Sequence, residues 1–242
     1  MTATQIDIKT QEGLVDTHFF QPSGDGPYPA VLFYMDGIGL RQTLFDMAER
    51  LTHHGYAVLL PNLYYRHGPA VPIDLTKDRD KLMAMVQSLT KAGIMQDTAH
   101  FLAFLDSQPG VLAPKIGCVG YCMGGGLALT AAGTYSERVV AAASFHGGRL
   151  ATDAPDSPHL LAPKMRGEIY VGVSGIDPHL VPGETERIET ALKESGAYYT
   201  VEIYPGVQHG FTMADLPIYD RDAAEHHWEV LLALFQRNLP TA

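Results

Sequence analysis

Short, nearly continuous apolar runs alternate along the chain with stretches whose apolar positions recur every three or four residues. The run "PAVLFYMD" (29–36) shows no polar alternation, the pattern of a parallel strand buried on both faces. "YAVLLP" (56–61), "KIGCVGY" (115–121), "VVAAASFH" (139–146), "EIYVGVS" (168–174) and "YTVEIYP" (199–205) read as further strands. Leu40, Leu44, Met47, Ala48 and Leu51 have helical spacing, and Gly55 stops that helix. One or two helices are predicted over 80–107, after a polar stretch at 66–80. Another follows in the small-residue segment "GGGLALTAAG" (124–133). Ala224, Trp228, Leu231, Leu232 and Phe235 form the stripe of a closing helix. Ahead of them all, "TQIDIKT" and "LVDTHFFQP" read as two antiparallel strands around Gly13. The alternation predicts an α/β fold over residues 1–242: one domain, with a predominantly parallel sheet of about eight strands and helices on both faces. Functional residues are then expected on loops beyond the carboxyl ends of the strands.

Composition narrows the function classes. A 242-residue chain with 46% hydrophobic and 18% charged residues has enough apolar surface for one core without disulfide or metal staples. Its net charge of −10 leaves no basic stripe to neutralise phosphates, which argues against a nucleic-acid partner. No run approaches 18 apolar residues and no secretory leader is evident, so no membrane association and a cytoplasmic location are expected. Only two cysteines occur, Cys118 and Cys122. Four strand residues span roughly 13 Å, too far for a disulfide between them.

The segment "VGYCMGGG" (119–126) raises the chemical question. Gly120-x-Cys122-x-Gly124 sits where a strand must turn at once into a helix. Small neighbours two positions either side allow the sharp turn that holds a nucleophile out. The N–H groups at the start of the helix favour a thiolate and a developing oxyanion. Cys118, inside the apolar strand, reads as a small buried hydrophobe.

A thiol of ordinary pKa is mostly protonated at neutral pH, so a base is needed. Among eleven histidines, His53 and His54 end a helix, and His226 and His227 read as a solvated helix face. His209, in "YPGVQHGF" after the last strand, occupies the place of a hydrolase base. Asp177, directly after the strand "EIYVGVS", is the expected acid, since Asp153, Asp156 and Asp215 have no strand to position them. No H-E-x-x-H or clustered ligand spacing suggests zinc, so no metal is expected.

With these residues the chain resembles the dienelactone hydrolases, α/β-hydrolases with a Cys-His-Asp triad. The likeness runs from "AVLFYMDGIGL" through "GYAVLLPNLYYR" and "GYCMGGG" to "YPGVQHGF". It implies that Cys122, Asp177 and His209 act together. It also implies that Asp36, one methylene shorter than the type enzyme's glutamate, contacts the resting thiol. An aspartate in that place would otherwise read as a cap for the next helix. The same resemblance implies oxyanion N–H groups from Gly37 and Met123. Where the type enzyme has a carboxylate-binding arginine, four residues after the histidine, this chain has Met213, an adaptable apolar wall. Arg66 and Arg79 are candidates to replace that arginine.

The expected function is therefore hydrolysis of a small-molecule lactone or ester, with no cofactor. Two other classes stand beside it: a thiol redox or peroxide-responsive protein, and a silent small-molecule binder on a hydrolase fold.

Overall fold

A computed structural model describes residues 1–239. One eight-stranded sheet runs through it: β1 (Thr2–Lys9), β2 (Leu14–Gln21), β3 (Tyr28–Tyr34), β4 (Ala57–Pro61), β5 (Val111–Tyr121), β6 (Val139–Phe145), β7 (Glu168–Ile176) and β8 (Tyr199–Gln208). The spatial order is β1-β2-β4-β3-β5-β6-β7-β8. β1 pairs antiparallel with β2, and β2 antiparallel with β4; every other pairing is parallel. The continuous apolar runs occupy the middle of this sheet, where both faces are covered; Ala30 to Tyr34 and Ile116 to Tyr121 are buried throughout.

The predicted helices form, with two over the 80–107 stretch, and α5 joins them: α1 (Gln42–His53), α2 (Arg79–Ser88), α3 (Lys91–Ser107), α4 (Met123–Thr134), α5 (Glu184–Ser195) and α6 (Arg221–Asn238). α1 and α6 share one face, where Arg50 of α1 pairs with Glu225 at 2.6 Å and lies over the Trp228 ring at 4.6 Å. α3 packs on α4, and α4 on β5 and β6, on the other face. Among the described residues no helix is long and apolar enough to cross a membrane. The apolar pattern had pointed to no helix at α5, whose buried side is only Ile188 and Leu192 with Glu184 of its first turn. Glycines at 183 and 196, both left-handed, bracket it.

One sequence expectation changes. His226 and His227 do not share a solvated face: His227 is fully buried. Its Nδ1–H donates to the Ala224 carbonyl at 2.7 Å, so Nε2 accepts from the Tyr121 hydroxyl at 2.9 Å, and burial brings its pKa down to about 3. That bond ties α6 to the residue preceding Cys122. The glycine run also divides. A Cβ on Gly120 would overlap the Gly124 carbonyl, one on Gly124 the Met35 and Tyr34 carbonyls, and one on Gly125 the Ser144 hydroxyl. At Gly126 a Cβ would meet nothing nearer than Leu150 at 3.7 Å, so this glycine is not needed for close packing.

Gly124→Ala should therefore cost about 3 kcal/mol or more, because backbone carbonyls cannot move aside. Gly126→Ala should be neutral or stabilising by up to ~1 kcal/mol, through helix propensity. Urea unfolding midpoints of the two variants measure the contrast; equal midpoints would mean that the elbow relaxes freely.

Candidate active site

Parallel strands of this sheet end together, and the chain turns there deliver four side chains to one edge. Cys122 follows β5 with φ 55° and ψ −121°, a conformation that L-residues adopt only under constraint. Its N–H donates to the Phe145 carbonyl at 3.1 Å, and its own carbonyl accepts from Gly125 N at 3.1 Å. These bonds, with no room for side chains at 120 and 124, hold the thiol up at the first turn of α4.

Asp177 follows β7 and His209 follows β8. The His209 Nδ1 lies 2.7 Å from Asp177 Oδ2, while Asp177 Oδ1 accepts from the His179 N–H at 2.9 Å. The Asp177 side chain is 1% exposed, so its charge acts through little water. His209 Nε2 is buried without a well-formed hydrogen bond, and the Cys122 thiol beside it is the group that acts on it. Such bonds are often loose before a substrate arrives. Burial on its own would lower the His209 pKa. The bond to Asp177 and the neighbouring thiol outweigh it and push the imidazole up to about 10, which favours an imidazolium beside the sulfur. Cys118, by contrast, is fully buried in β5, and burial raises its pKa.

Asp36 follows β3 and is buried, but Arg41 takes its charge. Arg41 Nη1 and Nη2 each donate to Asp36 at 2.8 Å, and Ile38 N donates to Oδ1 at 3.0 Å. These bonds, rather than one to the thiol, hold the carboxylate. It does not cap α1 either, whose N-cap is Arg41 itself. Arg41 also donates through Nε to Asp215 at 2.6 Å, beyond the His209 loop. Next to Gly37, the Tyr64 hydroxyl donates to the Gly37 carbonyl at 2.7 Å and lies 3.6 Å from Met123 Sδ. It thus bridges the two segments expected to offer oxyanion N–H groups.

The substrate-binding candidates fare differently. Met213 is fully buried in the core and offers no surface to a ligand. Arg66 is committed to Asp97 at 2.9 Å and to Glu12. Arg79 is exposed at the first turn of α2. Instead, a groove of about 390 Å³ opens beside Met123. Val86, Leu89 and Leu127 line it, with Lys91 and Arg149 as its cations. Arg41, Tyr64 and Arg149 escaped the sequence reading, since nothing local aims an arginine or tyrosine at a distant loop. His146 escaped it too. It is buried with φ 39°, its Nε2 is 2.7 Å from Thr212 Oγ1, and its ring is 5.1 Å from that of His209. Burial, and after it the charge of His209, holds its pKa well down, so it packs as a neutral ring.

Comparison with known proteins places the family and the fold. The profile of the dienelactone hydrolase family matches residues 15–239. A protein from Synechocystis sp., assigned as a carboxymethylenebutenolidase, is 27% identical over 240 residues, covering 98% of this chain and 97% of the relative. The fold is shared with a dienelactone hydrolase from Anabaena variabilis (TM-score 0.72, 20% identity, 98% of each chain). A dienelactone hydrolase-like promiscuous phosphotriesterase from metagenomic libraries has it as well (TM-score 0.82, 23% identity, 100% of this chain and 99% of the other).

The half-buried Cys122 and the encased Cys118 should differ sharply towards alkylation. Limited iodoacetamide on native protein at neutral pH should label Cys122 alone, as read by peptide mass mapping. Labelling of Cys118 first would contradict the burial described here.

Proposed function

The chain belongs to the dienelactone hydrolase family, and on that premise we propose that it hydrolyses a lactone or carboxylic ester through Cys122, with His209 as base and Asp177 as its orienting acid. The observation that carries this reading is the 2.7 Å His209–Asp177 bond, with Nε2 turned towards a thiol on a strained elbow. A redox-sensing thiol would need neither Asp177 nor His209, and a silent binder would not retain all three.

His209 holds the proton that Cys122 gives up, and the thiolate attacks the substrate carbonyl. Backbone N–H groups of Met123 and Gly37 stabilise the tetrahedral oxyanion. Its collapse expels the alcohol oxygen, which takes the proton from His209 and leaves an acyl-thioester. His209, now neutral, takes a proton from water as the hydroxyl oxygen attacks the thioester. Collapse releases the acid and restores thiolate and imidazolium. Asp177 holds the imidazole in one orientation and stabilises its cation throughout. The groove beside Met123 takes the substrate body against Val86, Leu89 and Leu127, with Arg149 available to an anionic substituent.

Turnover of a chromogenic acyl ester tests the reading. Cys122→Ala should abolish it, and His209→Ala and Asp177→Asn should each lower it by about 10²-fold or more with the fold intact. The exposed Asp153→Asn should not matter. Hydrolysis that survives alkylation of Cys122 would sink the mechanism. Inactivity across a panel of lactones and esters would favour the binder.

Substrate charge gives a separate outcome. Arg149→Met should lower kcat/KM for a carboxylated lactone about fivefold relative to its methyl ester, the equivalent of about 1 kcal/mol for an exposed ion pair. An unchanged ratio would exclude Arg149 from substrate recognition.

A further inference from the structure

The turn after β7 carries a histidine that the hydrolytic mechanism does not use. His179 is exposed, and its ring lies edge-on to that of His209 with centroids 4.6 Å apart. Together with Asp177 the two imidazoles offer three ligand atoms, all within 4.8 Å of one another. An open cavity of about 550 Å³ lies in front, and Asp177, His179 and His209 are three of its six lining residues. The two chain segments are more than 30 residues apart, which is why no ligand spacing shows in the sequence.

We propose that this cluster is a binding site for a borderline transition-metal dication such as Zn²⁺, one whose occupancy silences the site. Two imidazoles and one carboxylate, with room for water in the fourth position, are a donor set that suits zinc. The 2.7 Å between His209 Nδ1 and Asp177 Oδ2 is a hydrogen-bond separation, which an entering ion must widen. At zinc–ligand distances of about 2.1 Å it subtends roughly 80° at the metal. Tetrahedral donors at that distance sit about 3.4 Å apart, so the His209–Asp177 pair must open by about 0.7 Å, and the exposed His179 side chain turns in to meet the ion. The ion replaces the proton shared by His209 and Asp177, which leaves to solvent. The buried carboxylate that stabilises an imidazolium also stabilises the dication.

The silencing consequence rests on the proposed role of His209: a metal-bound ring can neither receive the Cys122 proton nor activate water. The binding itself does not rest on that role, so the two are tested apart.

Zinc chloride is titrated calorimetrically into Cys122→Ser protein, where no active-site thiol is present to bind it. One ion should bind per chain. His179→Ala in the same background should weaken binding at least tenfold, whereas His100→Ala, on α3, should leave it unchanged. Equal affinity with and without His179, or loss of binding on removal of the thiol alone, would overturn the site. His179→Gln serves as the second variant should alanine disturb the turn. In the wild-type protein, zinc should block ester hydrolysis reversibly, with chelator restoring it. His179→Ala should shift the inhibitory zinc concentration upward by the same factor. Binding without inhibition in a protein that hydrolyses esters would overturn the silencing claim. A protein that binds zinc through His179 yet hydrolyses no ester would keep the site and refute the hydrolase reading.

Discussion

The backbone at Cys122 is the constraint on which the remainder of the site depends. A non-glycine residue at φ 55° costs of order 1–3 kcal/mol and persists only where its surroundings over-determine it. Those surroundings are specific. Phe145 on the neighbouring strand accepts the Cys122 N–H, and carbonyls of β3 and α4 fill the space that side chains at 120 and 124 would need. Tyr121 is pinned from beneath by the buried neutral ring of His227. The sheet therefore stabilises the strain, and the strain sets the thiol above the sheet edge, facing a histidine delivered by a strand three places along.

The two buried carboxylates around this elbow each have a partner of their own. Asp177 is buried and bonded to His209. Asp36 follows β3, and Arg41 neutralises it with both terminal nitrogens. Because Arg41 reaches Asp215 as well, one guanidinium links the turn after β3 to the segment after His209. The largely buried bidentate Arg41–Asp36 pair fixes the guanidinium within the turn after β3, a geometry that resists sliding more than a single hydrogen bond does, and the exposed Asp215 ties that fixed group to the other half of the site. Tyr64 adds a second tie, from the turn after β4 to the Gly37 carbonyl.

Most of the fold was legible because central strands buried on both faces leave continuous apolar runs, which β3 to β7 display. The elbow was legible because its requirement for glycine is local. Asp177 and His209 could be placed because each directly follows a strand. What was not legible depends on contacts distant in the chain. The reading of Met213 as a pocket wall rested on counting four residues from the histidine. In the structure, turns from Gln208 to Phe211 and from Gly210 to Met213 wind that residue inward, and Thr212 is drawn down onto His146. Arg66 was a free cation in the sequence until Asp97 of α3 claimed it. His227 resembled its neighbour His226, and only the packing of α6 over Tyr121 separates a buried neutral ring from a half-exposed one paired with Glu202. α5 was passed over although its glycine brackets were visible, because a helix that buries so few apolar side chains leaves a weak stripe.

The length of Asp36 bears on how such a thiol is kept ready. A carboxylate that touched the sulfur would favour the protonated thiol by like-charge repulsion, and substrate would have to release it. Here the side chain turns back on its own loop, accepting from Ile38 N and from Arg41, and the guanidinium balances its charge. The nearest group able to set the state of the sulfur is then His209, whose imidazole the Asp177 bond and the thiol together hold towards the cation. A thiolate beside an imidazolium is neutral as a pair, so it tolerates a half-buried site that an isolated thiolate would not. With Asp36 turned away and paired to Arg41, His209 is the titratable partner that the fold sets beside Cys122, and the Tyr64 bridge joins the two segments that flank them.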